Sequence, residues 1–154
     1  MRFPVLGRWE DLETGDVLLE RLFVANTFWQ RLRGLQFASP LDFESGLLLR
    51  NCRSVHTMWM RFAIDLIFLS EDLQILETRF GVKPWRVVVP QAKGVAHVIE
   101  VTAGTQRNLY EGNKTRVINP LEKNICETHT VNSSPELQLP SSRCGERGWR
   151  LESN

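Results

Sequence analysis

Cysteine is scarce in this 154-residue sequence, and the three present, Cys52, Cys126 and Cys144, are odd in number and far apart. They fit no disulfide framework and agree with a reducing compartment. Histidine is equally sparse, at positions 56, 97 and 129, and no CxxC, HxxxH or HExxH pair accompanies it. A conventional four-ligand zinc shell is therefore not expected. The Gly-x-Ser-x-Gly turn of serine hydrolases and the glycine loops that cradle phosphates are absent too. No apolar run approaches the roughly eighteen residues of a membrane-spanning helix. The opening MRFPVLGR breaks at Gly7 and Arg8, too early for a signal-peptide core, so cytoplasmic residence is the default expectation. Excess charge is lacking as well: nineteen basic against eighteen acidic residues leave a net +1. That balance gives no global field toward nucleic acid or an anionic membrane, and binding of either kind would need a local patch.

What remains is a chain of one-domain length with 42% hydrophobic and 24% charged residues, the balance of a folded protein. Residues 17–24 (VLLERLFV), 46–50 (GLLLR), 64–69 (IDLIFL), 74–80 (QILETRF), 85–89, 95–101 (VAHVIEV) and 115–118 read as strands, punctuated by Gly, Pro and Asx turns. One helix is expected over TFWQRLRGLQF, capped by Asn26 or Thr27, with Phe28, Leu32 and Leu35 on one side. Gly34 inside it marks a helix end or a close backbone approach. The connections between strands look too short for successive crossover helices. The expected fold is thus a small, predominantly antiparallel α+β domain with a barrel-like core and one or two short helices. Residues 1–119 form this domain, and 120–154, polar and containing Pro120, Pro135 and Pro140, reads as a disordered tail.

Asp65 is the most unusual residue, a carboxylate inside FAIDLIFL. Buried alone it would cost several kcal/mol, so it needs a partner. It ties a strand to an adjacent turn, faces a ligand, or simply lies exposed at the surface. Its candidate neighbours are His56, Thr57, Arg61 and the polar run Arg50 to Arg53. A His56–Asp65 pair would be the simplest proton-transfer arrangement available, and equally the simplest structural one. Cys52 beside His56 lacks an evident activator beyond flanking arginines. Glu100 is one of many acids that could partner Asp65. A thioether copper site from Met58, Met60 and His56 competes with ordinary core filling. If residues 54–62 were one regular strand, His56, Met58 and Met60 would share a face, opposite Thr57, Trp59 and Arg61. Arginine is used fifteen times and lysine four, a preference that suits planar anions such as carboxylates and phosphates. The same arginines could simply cover a small barrel's rim. Trp59 and Trp85 could line a cleft or fill the core.

Arg33-Gly34-Leu35-Gln36-Phe37, Gly46-Leu47-Leu48-Leu49, the block from Cys52 to Leu69 and Val98-Ile99-Glu100-Val101-Thr102-Ala103-Gly104 together resemble the DUF192 family, also called UPF0127. The likeness spans roughly residues 17–119. It implies a compact α+β domain of prokaryotic, here bacterial, type with a barrel-like core and a candidate site, but no particular reaction. Gln36 stands where the family usually has Met, and Ala63 where Pro is common before Ile-Asp. The expected site is a cleft for a small anionic or peptide ligand formed by Arg33, Arg50, His56, Thr57, Met60, Arg61 and Asp65. No cofactor, metal or nucleic acid is expected. The alternatives are a small hydrolase or transferase using His56 as base with Asp65 orienting it, and a structural partner-binding domain without a pocket.

Overall fold

The computed structural model describes residues 3–37, 39–104 and 109–119. The expected tail, 120–154, lies outside them. Strands β1 (Val5–Asp11) and β2 (Val17–Ala25) form an antiparallel pair, followed by helix α1 (Phe28–Arg33) and β3 (Ser45–Leu49). Then come β4 (Val55–His56), β5 (Ile64–Leu69), β6 (Ile75–Val82), β7 (Val87–Val88), β8 (His97–Thr102) and β9 (Thr115–Ile118). Seven strands build one sheet in the order β6-β5-β8-β3-β2-β1-β9, and β4 pairs with β7 in a separate ribbon.

This is a β-rich α+β domain, and its sheet is mixed. All neighbouring pairs are antiparallel except β2 and β3. The sequence had argued against parallel pairing from short connections. The 26–44 connection is the exception, long enough to carry α1 and return beside β2. The sheet curls without closing. Its edges approach at a bridge between Gln74 and Lys114, beside which the Ile75 amide donates to Asn113 O at 2.9 Å and the Gly112 amide to Ile75 O at 2.7 Å. There Trp9 Nε1 donates to Thr115 Oγ1 at 2.8 Å, and that hydroxyl donates to the Leu73 carbonyl at 2.6 Å. This relay joins β1, β9 and the turn before β6 across the seam.

Strands β3 and β5 are buried along their whole length, as is β8 up to Val101. On one face Ile64, Leu66 and Phe68 pack with Leu47, Leu49 and Val98, under Leu35, Val55 and Met60. On the other, Ile67 and Leu69 join Trp9, Leu22, Ile75 and Ile99. Burying a side chain such as Phe68 contributes about 2 kcal/mol, and burial on both faces explains why FAIDLIFL is apolar without alternation. Among the described residues no helix is long and apolar enough to cross a membrane.

Two local expectations give way. α1 ends at Arg33, because Gly34 adopts φ 45° and donates its N–H back to Gln30 O at 2.9 Å. Phe28 and Leu32 are consequently exposed, and only Leu35, beyond the helix, reaches the core. The start follows the sequence: Thr27 Oγ1 accepts from the Gln30 amide while Gln30 Oε1 accepts from the Thr27 amide. Nor is 54–62 a regular strand. Only Val55–His56 pair, with Val88 and Val87, and the chain then turns through Trp59 at φ 63°. Thr57 and Met60 are therefore both buried while Trp59 is exposed, which no strand alternation would give.

Asp65 is a brace. The β5–β6 register slips between Ile64↔Val82 and Leu66↔Arg79, leaving an extra residue on β6. Asp65 Oδ1 accepts the Gly81 amide from that bulge at 2.6 Å, and Oδ2 accepts the Gly104 amide after β8 at 2.8 Å. One carboxylate thus fastens a bulge and a turn on either side of its own strand. Asp65→Asn offers one of those amides an N–H in place of an oxygen, and should destabilise the domain by about 2–4 kcal/mol. Urea unfolding of the two proteins measures this; a change below about 0.5 kcal/mol would show that the brace is dispensable.

Candidate functional site

Over the face of the sheet covered by Leu35, Val55 and Met60 lies a cleft of about 350 Å³. Its walls come from the last turn of α1 and Gly34–Gln36, from the loop after β3, and from β4. Leu35, Leu49, Val55 and Met60 make the apolar part, and Glu100 of β8 closes one side. Arg31, Arg33 and Arg53 supply positive charge around it.

Glu100 is 2% exposed, and its Oε2 has no hydrogen-bond partner among the described residues. Burial pushes its carboxyl up to about 7, against a smaller opposing effect of the Leu35 amide. The helix stop and this carboxyl are coupled. A Cβ at position 34 would sit 3.0 Å from Oε2, so Gly34 both ends α1 and lets the backbone approach Glu100.

His56 stands between the cleft and an adjoining open groove lined by Leu32, Gln36, Met58, Trp59 and Val87. Its Nδ1 lies 3.4 Å from Gln36 Nε2, and that amide also donates to the Leu32 carbonyl at 2.8 Å. Cys52 Sγ donates to Ser54 O at 3.1 Å, and burial pushes the thiol above its ordinary range. A thiol so held is a poor nucleophile.

The residues expected at the site separate into two groups. Arg33, His56 and Met60 line the cleft. Arg50, Thr57, Arg61 and Asp65 do not line it. Among the described residues no hydrogen bond or ion pair joins His56 to Asp65, whose two oxygens serve Gly81 and Gly104. Arg50 lies near His97, which burial and then the Arg50 charge keep below the ordinary histidine range. Arg61 is exposed on the turn before β5. Thr57 is fully buried and works as a clamp: its hydroxyl donates to Lys83 O at 2.8 Å and accepts the Arg86 amide at 2.9 Å. Its backbone N–H and C=O bond Arg86 O and the Trp85 amide as well.

Arg31, Gln36, Arg53 and Glu100 were not among the expected site residues, nor was Cys52. For Glu100 the signal was present, since VAHVIEV holds a carboxylate in an apolar strand just as FAIDLIFL does. Among the described residues no group of three His, Cys, Asp or Glu side chains is placed to hold a metal ion.

The Glu100 carboxyl makes stability pH-dependent in a definite direction. In the unfolded chain it ionises near 4.5, but in the fold only near 7. The folded state thus holds a proton that the unfolded state has released, and stability falls as pH rises from 4.5 through 7, by about 3 kcal/mol in all. Glu100→Gln removes this slope. Urea midpoints taken at about pH 5 and about pH 8 should show the variant gaining on the parent at the higher pH. A stability difference independent of pH would place the ionisation elsewhere.

Comparison with known proteins agrees with this architecture. The DUF192 family model, described as "Uncharacterized ACR", matches residues 12–117. A UPF0127 protein of Thermococcus sibiricus is 31% identical over 94 residues, covering 58% of this chain and 60% of its own. The chain thus spans somewhat less than two thirds of that relative. A UPF0127 protein of Pyrococcus furiosus is 36% identical over 83 residues, covering 52% of this chain and 70% of its own. These curated relatives are archaeal and give no support to a bacterial source. A crystal structure of a candidate transcription regulator from Sinorhizobium meliloti superposes with TM-score 0.66 at 20% identity, covering 76% of this chain and 96% of that one. A protein of unknown function from Novosphingobium aromaticivorans gives 0.61 at 17%, covering 71% and 83%. At such identities the structures speak for the fold alone. With the family pattern matched over most of the described domain, the chain belongs to the DUF192 family.

Proposed function

We propose that this domain is a non-catalytic binding module whose cleft takes a small anionic molecule or the charged end of a peptide. The observation that carries this is Glu100: a buried carboxyl oxygen without a partner among the described residues lies in the lining of a cleft that also holds arginines. A buried acceptor left unpaired costs about 1–3 kcal/mol, which a ligand hydroxyl, amide or ammonium would recover. Arg31, Arg33 and Arg53 suit a carboxylate or phosphate on the same molecule, through paired guanidinium hydrogen bonds. A cleft of about 350 Å³ lies at the small end of ligand sites, matching a metabolite-sized anion. An acid–base role has less support, because His56 is held against the Gln36 amide and is not oriented by Asp65.

The test combines native mass spectrometry of protein purified from its own cells with thermal shifts across a panel of small carboxylates, phosphates and dipeptides. A stabilising compound should bind at least about tenfold more weakly to Arg33→Ala/Arg53→Ala, the loss of charge-assisted bonds. The same compound should lose affinity in Glu100→Ala. Bare protein mass together with no thermal shift anywhere in the panel would refute the reading.

A further inference from the structure

Beside the cleft, three aromatic rings from three separate loops come together on the surface. Phe37 stacks against Trp59 with centroids 6.1 Å apart, and Trp85 meets Trp59 edge-on at 4.7 Å. All three are more than half exposed. Each sits in left-handed backbone, at φ 56°, 63° and 62°. Bulky side chains rarely adopt this conformation, so all three rings are displayed against local backbone preference. The Thr57 clamp to Lys83 and Arg86 is what holds the Trp85 loop against the Trp59 turn. The adjoining groove extends the apolar surface through Leu32, Met58 and Val87.

Charge is segregated around this mound. Arg33, Arg53, Arg61, Lys83 and Arg86 are exposed on the segments that carry the rings. The segments 26–37, 50–63 and 82–96 contain no Asp or Glu. Among the described residues, the ion-paired arginines are Arg8, Arg21, Arg79 and Arg116, all on other elements. A chain of net charge +1 therefore presents one apolar surface rimmed by unpaired cations.

From this we infer that the Phe37–Trp59–Trp85 surface docks on an anionic lipid bilayer. Exposed tryptophan, phenylalanine and aliphatic side chains favour the headgroup boundary, and cations around them add attraction to anionic lipid. A second copy of the chain fits poorly, since a two-fold pairing would set the cationic rims against each other. Single-stranded nucleic acid fits less well than lipid. One face of Trp59 is already covered by Phe37, and Leu32, Met58 and Val87 give bases nothing to stack on. The inference is independent of what the cleft binds.

Co-sedimentation of the full chain with vesicles of phosphatidylcholine, with and without phosphatidylglycerol, tests it. Binding should be at least about tenfold tighter to the anionic vesicles and should weaken in high salt. Trp59→Asn/Trp85→Asn keeps residues that tolerate left-handed backbone. It should lower vesicle binding at least about tenfold with an unchanged melting temperature, and Lys83→Glu/Arg86→Glu should do the same. No sedimentation, equal binding to neutral vesicles, or unaltered binding by the Asn variant would each overturn the proposal. So would oligothymidylate binding or self-association, measured without lipid, that the Asn variant abolishes while vesicle binding persists.

Discussion

A carboxylate placed inside a β-sheet must find hydrogen-bond donors, and in this domain the backbone amides of turns and bulges provide them. Asp65 shows the constraint most fully. Its strand is buried on both faces, and its two oxygens are satisfied by the Gly81 and Gly104 amides aimed at them. Those amides are free to do so because the β5–β6 ladder is interrupted by a bulge and the chain turns after β8. Glu77 repeats the device, accepting from the Gln91 and Ala92 amides at 2.6 and 2.8 Å and so holding the loop before β8. Both carboxylates thereby fasten backbone that strand pairing leaves open.

Glu100 departs from that pattern, and the departure marks the cleft. Asp11, Asp65 and Glu77 are hydrogen-bonded at both oxygens, whereas Glu100 has one oxygen without a partner among the described residues, beside an apolar wall. In those three, geometry follows from the demand for satisfaction; here it creates a demand that something outside the chain could meet. The glycine that ends α1 is required by the same arrangement, since a side chain there would press on the carboxyl. Helix length, cleft shape and buried acid are thus consequences of one close approach.

Thr57 links the cleft to the surface beside it. Its hydroxyl and backbone join the turn after β4 to the loop before β7. The same staple sets His56 at the cleft mouth, opposite Val87, and brings Trp59 against Trp85. A residue whose type suggested ligand contact instead arranges the residues on either side of it.

Much of the fold was legible because its signals are local. The apolar runs of β2, β3, β5 and β8, the turn residues between them and the Thr27 cap are encoded in adjacent residues, and Asp65 was conspicuous for lying in such a run. Other features depended on contacts between distant segments. Parallel pairing of β2 with β3 was hidden in a connection whose helix buries none of its own side chains. The partners of Asp65 lie 16 and 39 residues away, and although both are turn glycines, nothing local says that their amides aim at Asp65. Glu100 and Asp65 look alike in sequence, each a lone acid in an apolar strand. The sequence determined that each acid lies within an apolar run, because that pattern is set by the neighbours along the strand. Only the tertiary structure decided that one would be fully satisfied and the other left with an open oxygen, because hydrogen-bond donors are supplied by whichever loops the fold brings across.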